Sequence, residues 1–228
     1  MYQEATLPLF PMLPAAGRPA ADAEALRRRA GVEYFDLLVR EILNKSEARI
    51  LPFDWTINPY RGCEFGCVYC YARSTHSFFE STSPDDFESR IFVKRNAAEK
   101  LAHRLRKSDL RGQTIAIGTA TDPYQPAERH FGVTRSLLEV FTGVEGLNLS
   151  ITTKSPLILK DLDLLAELDR RHAIEIHLSI TTLDRELARK LDPAAPDPQA
   201  RLRAVERLAE AGIAVTVNCM PVMPGIND

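Results

Sequence analysis

The sequence lacks the features that would place the protein in a membrane or on a polyanion. Its longest apolar stretches, such as residues 115–117 and 213–215, are of strand length, whereas a membrane-spanning helix needs about 20 apolar residues. No basic region followed by an apolar run marks the N-terminus as a secretory signal. A formal net charge of -2 excludes a global basic field. These absences predict a cytoplasmic protein with reduced thiols and no membrane partner.

Basic residues nonetheless concentrate in one stretch, in and around a helix predicted over residues 96–107. They are Lys94, Arg95, Lys100, Arg104, Arg106, Lys107 and Arg111. A solvated charged face is the ordinary interpretation of such a run, and a nucleic-acid contact is the alternative. With 228 residues, 45% of them hydrophobic and 26% charged, the chain has the composition of a globular protein with one substantial core.

Cysteine is scarce, yet three of the four cysteines lie in one short run. Cys63, Cys67 and Cys70 are separated by three and then two residues, a spacing that suits a cubane iron-sulfur cluster. Thiolates are the soft ligands that such clusters need, and three protein ligands leave one of the four irons open to bind something else. The run therefore predicts a 4Fe-4S cluster with a reactive iron.

Zinc is the main alternative metal for the same cysteines. Structural zinc sites usually combine two separated cysteine or histidine pairs, and the sequence has no second pair, although His76 could supply a fourth ligand. The five histidines show no spacing typical of a metal site of their own. Unliganded core cysteines are the third interpretation, and it is the one that we favour for Cys219.

The first 50 residues have a different character from the rest of the chain. Residues 1–20 contain four prolines, which predicts an extended or disordered leader. Apolar residues recur near helical spacing over residues 21–44, which predicts a helical extension outside the catalytic core, with Gly31 as a break. The predicted division is therefore a leader with a helical extension at residues 1–50 and a core at residues 51–228.

In the core, short apolar strands alternate with amphipathic helices, a pattern typical of an α/β fold with a parallel sheet. Ligands of such sheets gather at the carboxyl ends of the strands. Strands are predicted at residues 54–58, 114–118, 147–152, 174–180 and 213–219. Helices are predicted at residues 96–107, 134–142, 159–168, 185–191 and 198–211.

The run NPYRGCEFGCVYCYAR, from Asn58 to Arg73, resembles the radical S-adenosylmethionine (SAM) enzymes, and within them the branch of spore photoproduct lyase and DNA repair photolyases. The resemblance extends from about residue 56 to the C-terminus. It implies a partial (β/α)6 barrel with about five of its units present, and a chain truncated at its C-terminal end with an exposed sheet edge. It also implies that a reduced 4Fe-4S cluster cleaves SAM to methionine and a 5'-deoxyadenosyl radical, which abstracts hydrogen from a substrate.

The resemblance also implies roles for individual residues. Cys63, Cys67 and Cys70 would hold the cluster, and Tyr69 would lie against the adenine of SAM. Tyr71 resembles a tyrosine that relays hydrogen in the lyase branch, with ordinary packing as its alternative role. The segment after the second predicted strand stands where these enzymes present backbone carbonyls to the methionine ammonium group. Its members are Gly118, Thr119, Ala120, Thr121 and Asp122.

Two further strand ends supply candidates for cofactor binding. Lys154 is a point charge that could pair with the methionine carboxylate, and Ser179 offers a hydroxyl to the ribose. Three of the proposed cofactor contacts have a structural alternative. Asp122 could cap a rigid, proline-flanked turn, Tyr69 could be a core tyrosine, and Lys154 could be a surface lysine.

One position departs from the lyase branch, in which a cysteine at the end of the second strand returns hydrogen to the repaired thymine dimer. Thr119 stands there, so the same repair cycle is not expected. The predicted function is a radical SAM enzyme of unknown substrate, with nucleic acid as a candidate and a flavodoxin or ferredoxin as reductant. The alternative is a protein that binds an iron-sulfur cluster or zinc for structure or electron transfer, without cleaving SAM.

Overall fold

The computed structural model describes residues 25–29, 31–47, 50–74, 83 and 85–228, which form a four-stranded and a six-stranded sheet with helices. The strands are β1 (Arg27–Arg29), β2 (Val32–Asp36), β3 (Asn44–Lys45), β4 (Trp55–Ile57), β5 (Tyr60–Arg61), β6 (Arg90–Val93), β7 (Thr114–Ile117), β8 (Asn148–Thr153), β9 (Ala173–Ser179) and β10 (Ala214–Asn218). The α-helices are α1 (Asp86–Ser89), α2 (Ala97–Lys107), α3 (Glu128–Phe131), α4 (Val133–Phe141), α5 (Leu162–Asp169), α6 (Arg185–Leu191) and α7 (Pro198–Glu210).

The six-stranded sheet has the order β10, β9, β8, β7, β4, β3. From β4 to β10 its strands run parallel, each next to its successor in this sheet, while β3 pairs with β4 in the antiparallel sense. Parallel neighbours joined by helical crossovers are typical of a β/α barrel. These five parallel strands are the five that the sequence predicts, so the partial barrel is confirmed.

The predicted helices are also present, with shifts of a few residues at their ends. The helix expected at residues 159–168 begins as a 3-10 helix, Pro156–Asp161, and continues as α5. The sequence signals at the ends of α7 act as expected. The Asp197 side chain accepts a hydrogen bond from the Gln199 backbone N–H at 2.9 Å, Pro198 occupies the first turn, and Gly212 follows the helix with φ +78°.

The helical extension predicted over residues 21–44 is wrong for the part of it that the structure describes. β1 and β2 form an antiparallel pair around Gly31, whose φ is +83°. β2 also pairs in parallel with β6, and both faces of β2 are buried, because Tyr34 packs on Phe131 and Phe35 packs on Phe92, each with ring centroids 5.4 Å apart. The predicted leader at residues 1–20 lies outside the described residues.

The apolar core lies between the parallel strands and their helices, and includes Ile57, Ile117, Ile151 and Ile176, each 0% exposed. The last strand contrasts with this core. Within the described chain β10 pairs with β9 alone, Val217 is 38% exposed, and Met220, Val222 and Ile226 beyond the strand are exposed as well. The exposed sheet edge expected from the sequence is thus observed. No helix in the described ranges is long and apolar enough to cross a bilayer.

Candidate functional site

The three clustered cysteines lie on a single loop, residues 63–70, here called the cysteine loop, which follows β5 near the carboxyl end of β4. All three are free thiols, with Cys67 buried and Cys63 and Cys70 partly buried. Each thiol is close enough to the next to influence its pKa. The loop therefore gathers three sulfur ligands at the edge of the parallel sheet where ligands of such folds bind.

Two glycines let the backbone turn tightly around these thiols. Gly62 has φ +80°, and a Cβ atom there would lie 2.8 Å from the carbonyl oxygens of Phe87 and Arg90, so a side chain at this position would collide with backbone. Gly66 has φ +61°, a left-handed conformation that glycine adopts at least cost.

One side of the cysteine loop is fastened to the segment that follows β7, residues 118–128, here called the anchoring segment. Thr121 Oγ1 and Gln125 Nε2 both donate to the Gly62 carbonyl, at 2.6 and 3.1 Å. The Glu64 backbone N–H donates to Gln125 Oε1 at 3.0 Å, and the Glu64 carboxylate accepts from the Ala127 N–H at 2.8 Å. These hydrogen bonds between the two segments fix the conformation of the cysteine loop.

The other side of the loop is fastened to the end of α6 and the residues that follow it. The Val68 N–H donates to the Leu191 carbonyl at 2.9 Å, and the Ala194 N–H donates to the Phe65 carbonyl at 3.2 Å. Phe65 is 2% exposed, so it also holds the loop by burial of its ring. The loop is therefore held from both sides, by hydrogen bonds that involve side chains at the anchoring segment and by backbone hydrogen bonds at the end of α6.

Three thiols on one short loop are a donor set that fits an iron-sulfur cluster. Among the described residues, no three Cys, His, Asp or Glu side chains form a group that could hold one metal ion, and His76 lies outside them. A cubane places each thiolate on a different iron and so tolerates wider separation. Burial raises the pKa of all three thiols, that of Cys67 to about 12, and a bound metal would offset this by ligating the thiolates.

The anchoring segment begins at Gly118, whose φ is +92°. A Cβ atom at this position would lie 2.5 Å from the Thr152 carbonyl oxygen and 2.6 Å from Pro123 Cδ. The resemblance implies that this segment presents backbone carbonyls to the methionine ammonium group of SAM. The close approach that the structure shows is to the protein's own chain, and a cofactor contact at Gly118 remains a prediction.

Asn58, at the end of β4, fixes the next two residues of the anchoring segment. Its Nδ2 donates to Thr119 Oγ1 at 3.1 Å, and its Oδ1 accepts from the Ala120 N–H at 2.8 Å. The Tyr71 hydroxyl donates to the Thr119 carbonyl. Tyr71 is 54% exposed, so the predicted hydrogen-relay residue lies at the mouth of the site beside Thr119.

The Asp122 carboxylate is occupied by hydrogen bonds from the protein itself. Oδ1 accepts from Thr153 Oγ1 at 2.6 Å and from the Tyr124 N–H at 2.8 Å, while Oδ2 accepts from the Lys154 N–H at 2.7 Å. Burial raises the pKa of Asp122 despite these hydrogen bonds. This geometry matches the alternative interpretation of Asp122 as the cap of a rigid turn, and a contact between Asp122 and the cofactor remains a prediction.

Tyr69 and Lys154, predicted to contact different parts of SAM, meet each other across the site. Lys154 Nζ donates to the Tyr69 hydroxyl at 2.8 Å and lies 5.2 Å from the ring centroid. The Tyr69 hydroxyl also lies 2.8 Å from Thr181 Oγ1. Burial, and then the neighbouring Asp192, raise the pKa of Tyr69, which therefore stays a neutral hydroxyl.

Asp192 and Arg201 complete this group, and sequence reasoning missed both. The Asp192 carboxylate accepts from the Tyr69 hydroxyl at 2.5 Å and from Arg201 Nη1 at 3.1 Å. Arg201 also donates to the Ser179 carbonyl, so Ser179 joins through its backbone. We call Tyr69, Lys154, Thr181, Asp192 and Arg201 the polar centre. An arginine on the buried face of a helix was the available signal, because such a charge needs a partner.

Burial alone would raise the pKa of the Asp192 carboxyl, but the positive charge of Lys154 and the hydrogen bonds from Tyr69 and Cys67 outweigh burial and lower it. Asp192 is therefore a carboxylate at neutral pH. Cys219 lies apart from this group and is exposed, so its assignment to the core was wrong. The reason is that the strand leading to it, β10, is itself exposed.

The structure therefore places three clustered thiols at the carboxyl edge of a partial parallel barrel. Residues 57–228 match the Radical SAM superfamily, and the chain belongs to that superfamily. Its members use a 4Fe-4S cluster and SAM, so membership implies both cofactors. The same membership supports SAM-dependent radical chemistry as the activity of the class.

Relatives of known sequence resemble most of this chain. An uncharacterized protein of Mycobacterium tuberculosis is 37% identical over 87% of this chain and 58% of its own length. An uncharacterized protein of Methanocaldococcus jannaschii is 30% identical over 76% of this chain and 62% of its own length. A Pseudomonas phage M6 protein named radical SAM Nalpha-GlyT isomerase is 28% identical over 74% of this chain and 33% of its own length. The chain thus spans less than two thirds of these relatives.

Solved structures show where this fold occurs. Spore photoproduct lyase complexed with dinucleoside spore photoproduct matches 84% of this chain and 52% of that chain, with a TM-score of 0.64 and 15% sequence identity. A cysteine-to-serine mutant of the same enzyme gives a TM-score of 0.65 at 17% identity, over 83% of this chain and 51% of the other. The partial barrel is therefore the fold of spore photoproduct lyase, as the sequence resemblance implied.

Proposed function

We propose that this chain is a radical SAM enzyme in which Cys63, Cys67 and Cys70 hold a 4Fe-4S cluster. The observation that supports this most directly is the cysteine loop, with three free thiols turned by two positive-φ glycines and fastened from both sides. When bound, the cluster and SAM supply one-electron cleavage to a 5'-deoxyadenosyl radical that abstracts hydrogen from the substrate. The protein holds the thiolates in place and orients SAM beside them.

The polar centre supplies the cofactor contacts in this proposal. Lys154 is 14% exposed, and one of its three N–H groups is used by the Tyr69 hydroxyl, so it can still donate to the methionine carboxylate. The Tyr69 ring would lie against the adenine, and Ser179 would offer its hydroxyl to the ribose. The Gly118–Asp122 backbone would contact the methionine ammonium group. Tyr71, exposed at the mouth, would relay hydrogen.

We extend the proposal to the substrate and the partners of the enzyme. A nucleic-acid substrate is supported by the shared fold with spore photoproduct lyase, which has been solved with a dinucleoside lesion. Thr119 replaces the hydrogen-returning cysteine of that enzyme, so the proposal is hydrogen abstraction from a nucleic-acid component and not repair of a thymine dimer. A flavodoxin or ferredoxin in the cytoplasm would supply the electron.

Anaerobic reconstitution with iron and sulfide tests the proposal. We expect an electron paramagnetic resonance signal from the reduced cluster that changes when SAM is added, and 5'-deoxyadenosine when a reductant is supplied. A signal that SAM does not change, with no 5'-deoxyadenosine, would leave the alternative of a cluster protein for structure or electron transfer. Stoichiometric zinc with no cluster signal would contradict the proposal outright.

A further inference from the structure

Asp192 is a buried carboxylate that none of the expected cofactor contacts uses. It follows α6 directly, its backbone N–H donates to the Ala188 carbonyl at 2.8 Å, and its side chain is 1% exposed. A buried charge is costly unless it is paired and hydrogen-bonded, so a carboxylate placed here calls for an explanation in terms of its partners.

Two partners of Asp192 are the side chains proposed to contact SAM, and the others are Arg201 and the Cys67 thiol. Its Oδ1 accepts from the Tyr69 hydroxyl at 2.5 Å, and its Oδ2 lies 3.6 Å from Lys154 Nζ. Tyr69 lies on the cysteine loop and Lys154 directly follows β8, so one carboxylate joins two elements that are far apart in sequence. Lys154 and Tyr69 are also hydrogen-bonded to each other, which closes a triangle.

Arg201 holds this carboxylate from behind. Its side chain is 1% exposed; Nε donates to the Pro196 carbonyl at 2.7 Å, and Nη1 donates to the Ser179 carbonyl and to Asp192 Oδ2, both at 3.1 Å. Two of its three donor contacts are to backbone, so the guanidinium is fixed by the main chain at the end of β9. Its planar fork loses less freedom than an ammonium would in such a position.

The charges of this group do not cancel. One carboxylate faces two cations, Lys154 and Arg201, and Arg201 has its hydrogen bonds directed to Asp192 and to carbonyls. Lys154 is the more accessible of the two cations, at 14% exposed against 1%. The excess positive charge therefore resides on Lys154, at the side of the polar centre that a ligand can reach.

We propose that Asp192 is a positioning residue for SAM: fixed by Arg201, it holds the Tyr69 hydroxyl and the Lys154 ammonium where they receive the cofactor. This inference rests on the proposed function. Asp192 acts on SAM through these two side chains, and a Cys67 thiolate bound to the cluster no longer donates a hydrogen bond to it. Removal of the Asp192 carboxylate therefore lowers the affinity for SAM while the cluster is retained. Outer partners that orient a binding group typically matter by about 10- to 100-fold.

The test compares Asp192→Asn with Asp184→Asn in the reconstituted protein. Asp184 is an exposed aspartate that caps α6 through the Glu186 and Leu187 N–H groups, a role that asparagine also fills. We expect both variants to hold as much iron and sulfide as the wild type. The dissociation constant of SAM, measured by anaerobic equilibrium dialysis, should rise about tenfold in Asp192→Asn and stay unchanged in Asp184→Asn.

A double-mutant cycle with Tyr69→Phe separates positioning from a general structural role. Tyr69→Phe alone should weaken SAM binding at full iron content. Asp192→Asn should add less in that background than it does alone, through Lys154 only, because contacting residues are coupled. Additive effects, or an unchanged dissociation constant in Tyr69→Phe, would overturn the inference. So would loss of iron from Asp192→Asn, which would assign the residue to holding the loop. Wild-type protein that holds a cluster but does not bind SAM would sink the proposed function as well.

Discussion

The anchoring segment and the polar centre flank the same cysteine loop, but they use their polar groups in opposite ways. In the anchoring segment, Thr121, Asp122 and Gln125 direct their side chains at backbone groups of the protein itself. In the polar centre, Tyr69 and Lys154 share a carboxylate, and Lys154 keeps a donor and an excess of positive charge near the opening. The side chains on one side therefore shape the loop and leave only backbone groups for a ligand, whereas the other side keeps a charged side chain that a ligand can reach.

The largest expected effect comes from removing a ligand from the loop that both regions serve. Cys67→Ala should abolish cluster binding, because two cysteines cannot replace three on a four-iron cluster. Iron and sulfide content after anaerobic reconstitution measures this. Cys219→Ala is the matched control, since Cys219 is exposed and outside the loop, and it should keep the wild-type content. Retained iron in Cys67→Ala would contradict the ligand assignment.

A backbone change should break the anchoring segment at its first residue. Gly118→Ala places a Cβ atom 2.5 Å from the Thr152 carbonyl at a φ of +92°, so unfolding free energy should fall by a few kcal/mol. Gly112→Ala is the control, with φ +77° and no atom within 4 Å of the added Cβ, and should cost only about 1 kcal/mol. Urea denaturation compares the two. Equal losses would mean that the close packing at Gly118 is unimportant.

One variant in each region tests the contrast between them, with both stability and SAM affinity measured for each variant. Asp122→Asn turns an amide toward a backbone donor and should lower stability by about 1–3 kcal/mol, with a smaller effect on SAM affinity. Lys154→Met should lower SAM affinity more than stability. Asp192 keeps Arg201 as its partner in this variant, whereas the positive charge that a ligand can reach is lost. Thermal unfolding and SAM dialysis on both variants decide it. If Asp122→Asn weakened SAM binding more than Lys154→Met, the two regions would have been assigned the wrong way round.

A pH-dependent effect is expected from a third cation, Lys94, whose Nζ donates to the Asn58 carbonyl at 2.7 Å. Burial, and then the charge of Arg61, lower the pKa of Lys94 to about 7. The unfolded chain binds this proton up to about pH 10, so stability should rise with pH between about 7 and 10. Lys94→Met should flatten that rise in urea unfolding curves measured across the range. A rise of equal slope in both proteins would show that Lys94 does not cause it.

The barrel strands and the run of three cysteines could be predicted because their sequence signals are local. Apolar strand segments alternate with amphipathic helices, and Cys63, Cys67 and Cys70 lie within one loop. The four-stranded sheet could not be predicted in this way. Tyr34 and Phe35 of β2 are buried because β2 pairs with β6, in a register that joins Tyr34 to Ile91. Local periodicity over residues 21–44 favoured a helix, and a distant strand decided the outcome.

The same reasoning explains what was found and missed in the site. Tyr69 and Lys154 were candidates because each stands beside a recognisable feature, the cysteine run or a strand end. Asp192 directly follows α6, and Arg201 lies within α7. In the sequence, both residues are spaced like ordinary surface charges. Their importance comes from burial, 1% exposed for each side chain, and burial is a property of the assembled fold.

The anchors of the cysteine loop have a consequence for how the molecule is made. The loop is held by Tyr34 through Glu64, by Phe87, by Gln125 and by Leu191, which are drawn from much of the chain. Contacts between residues so distant in sequence form late in folding, after the intervening elements have closed. We therefore expect the cluster to be inserted only after the chain has almost finished folding. Iron content would then report the fraction of molecules that have folded.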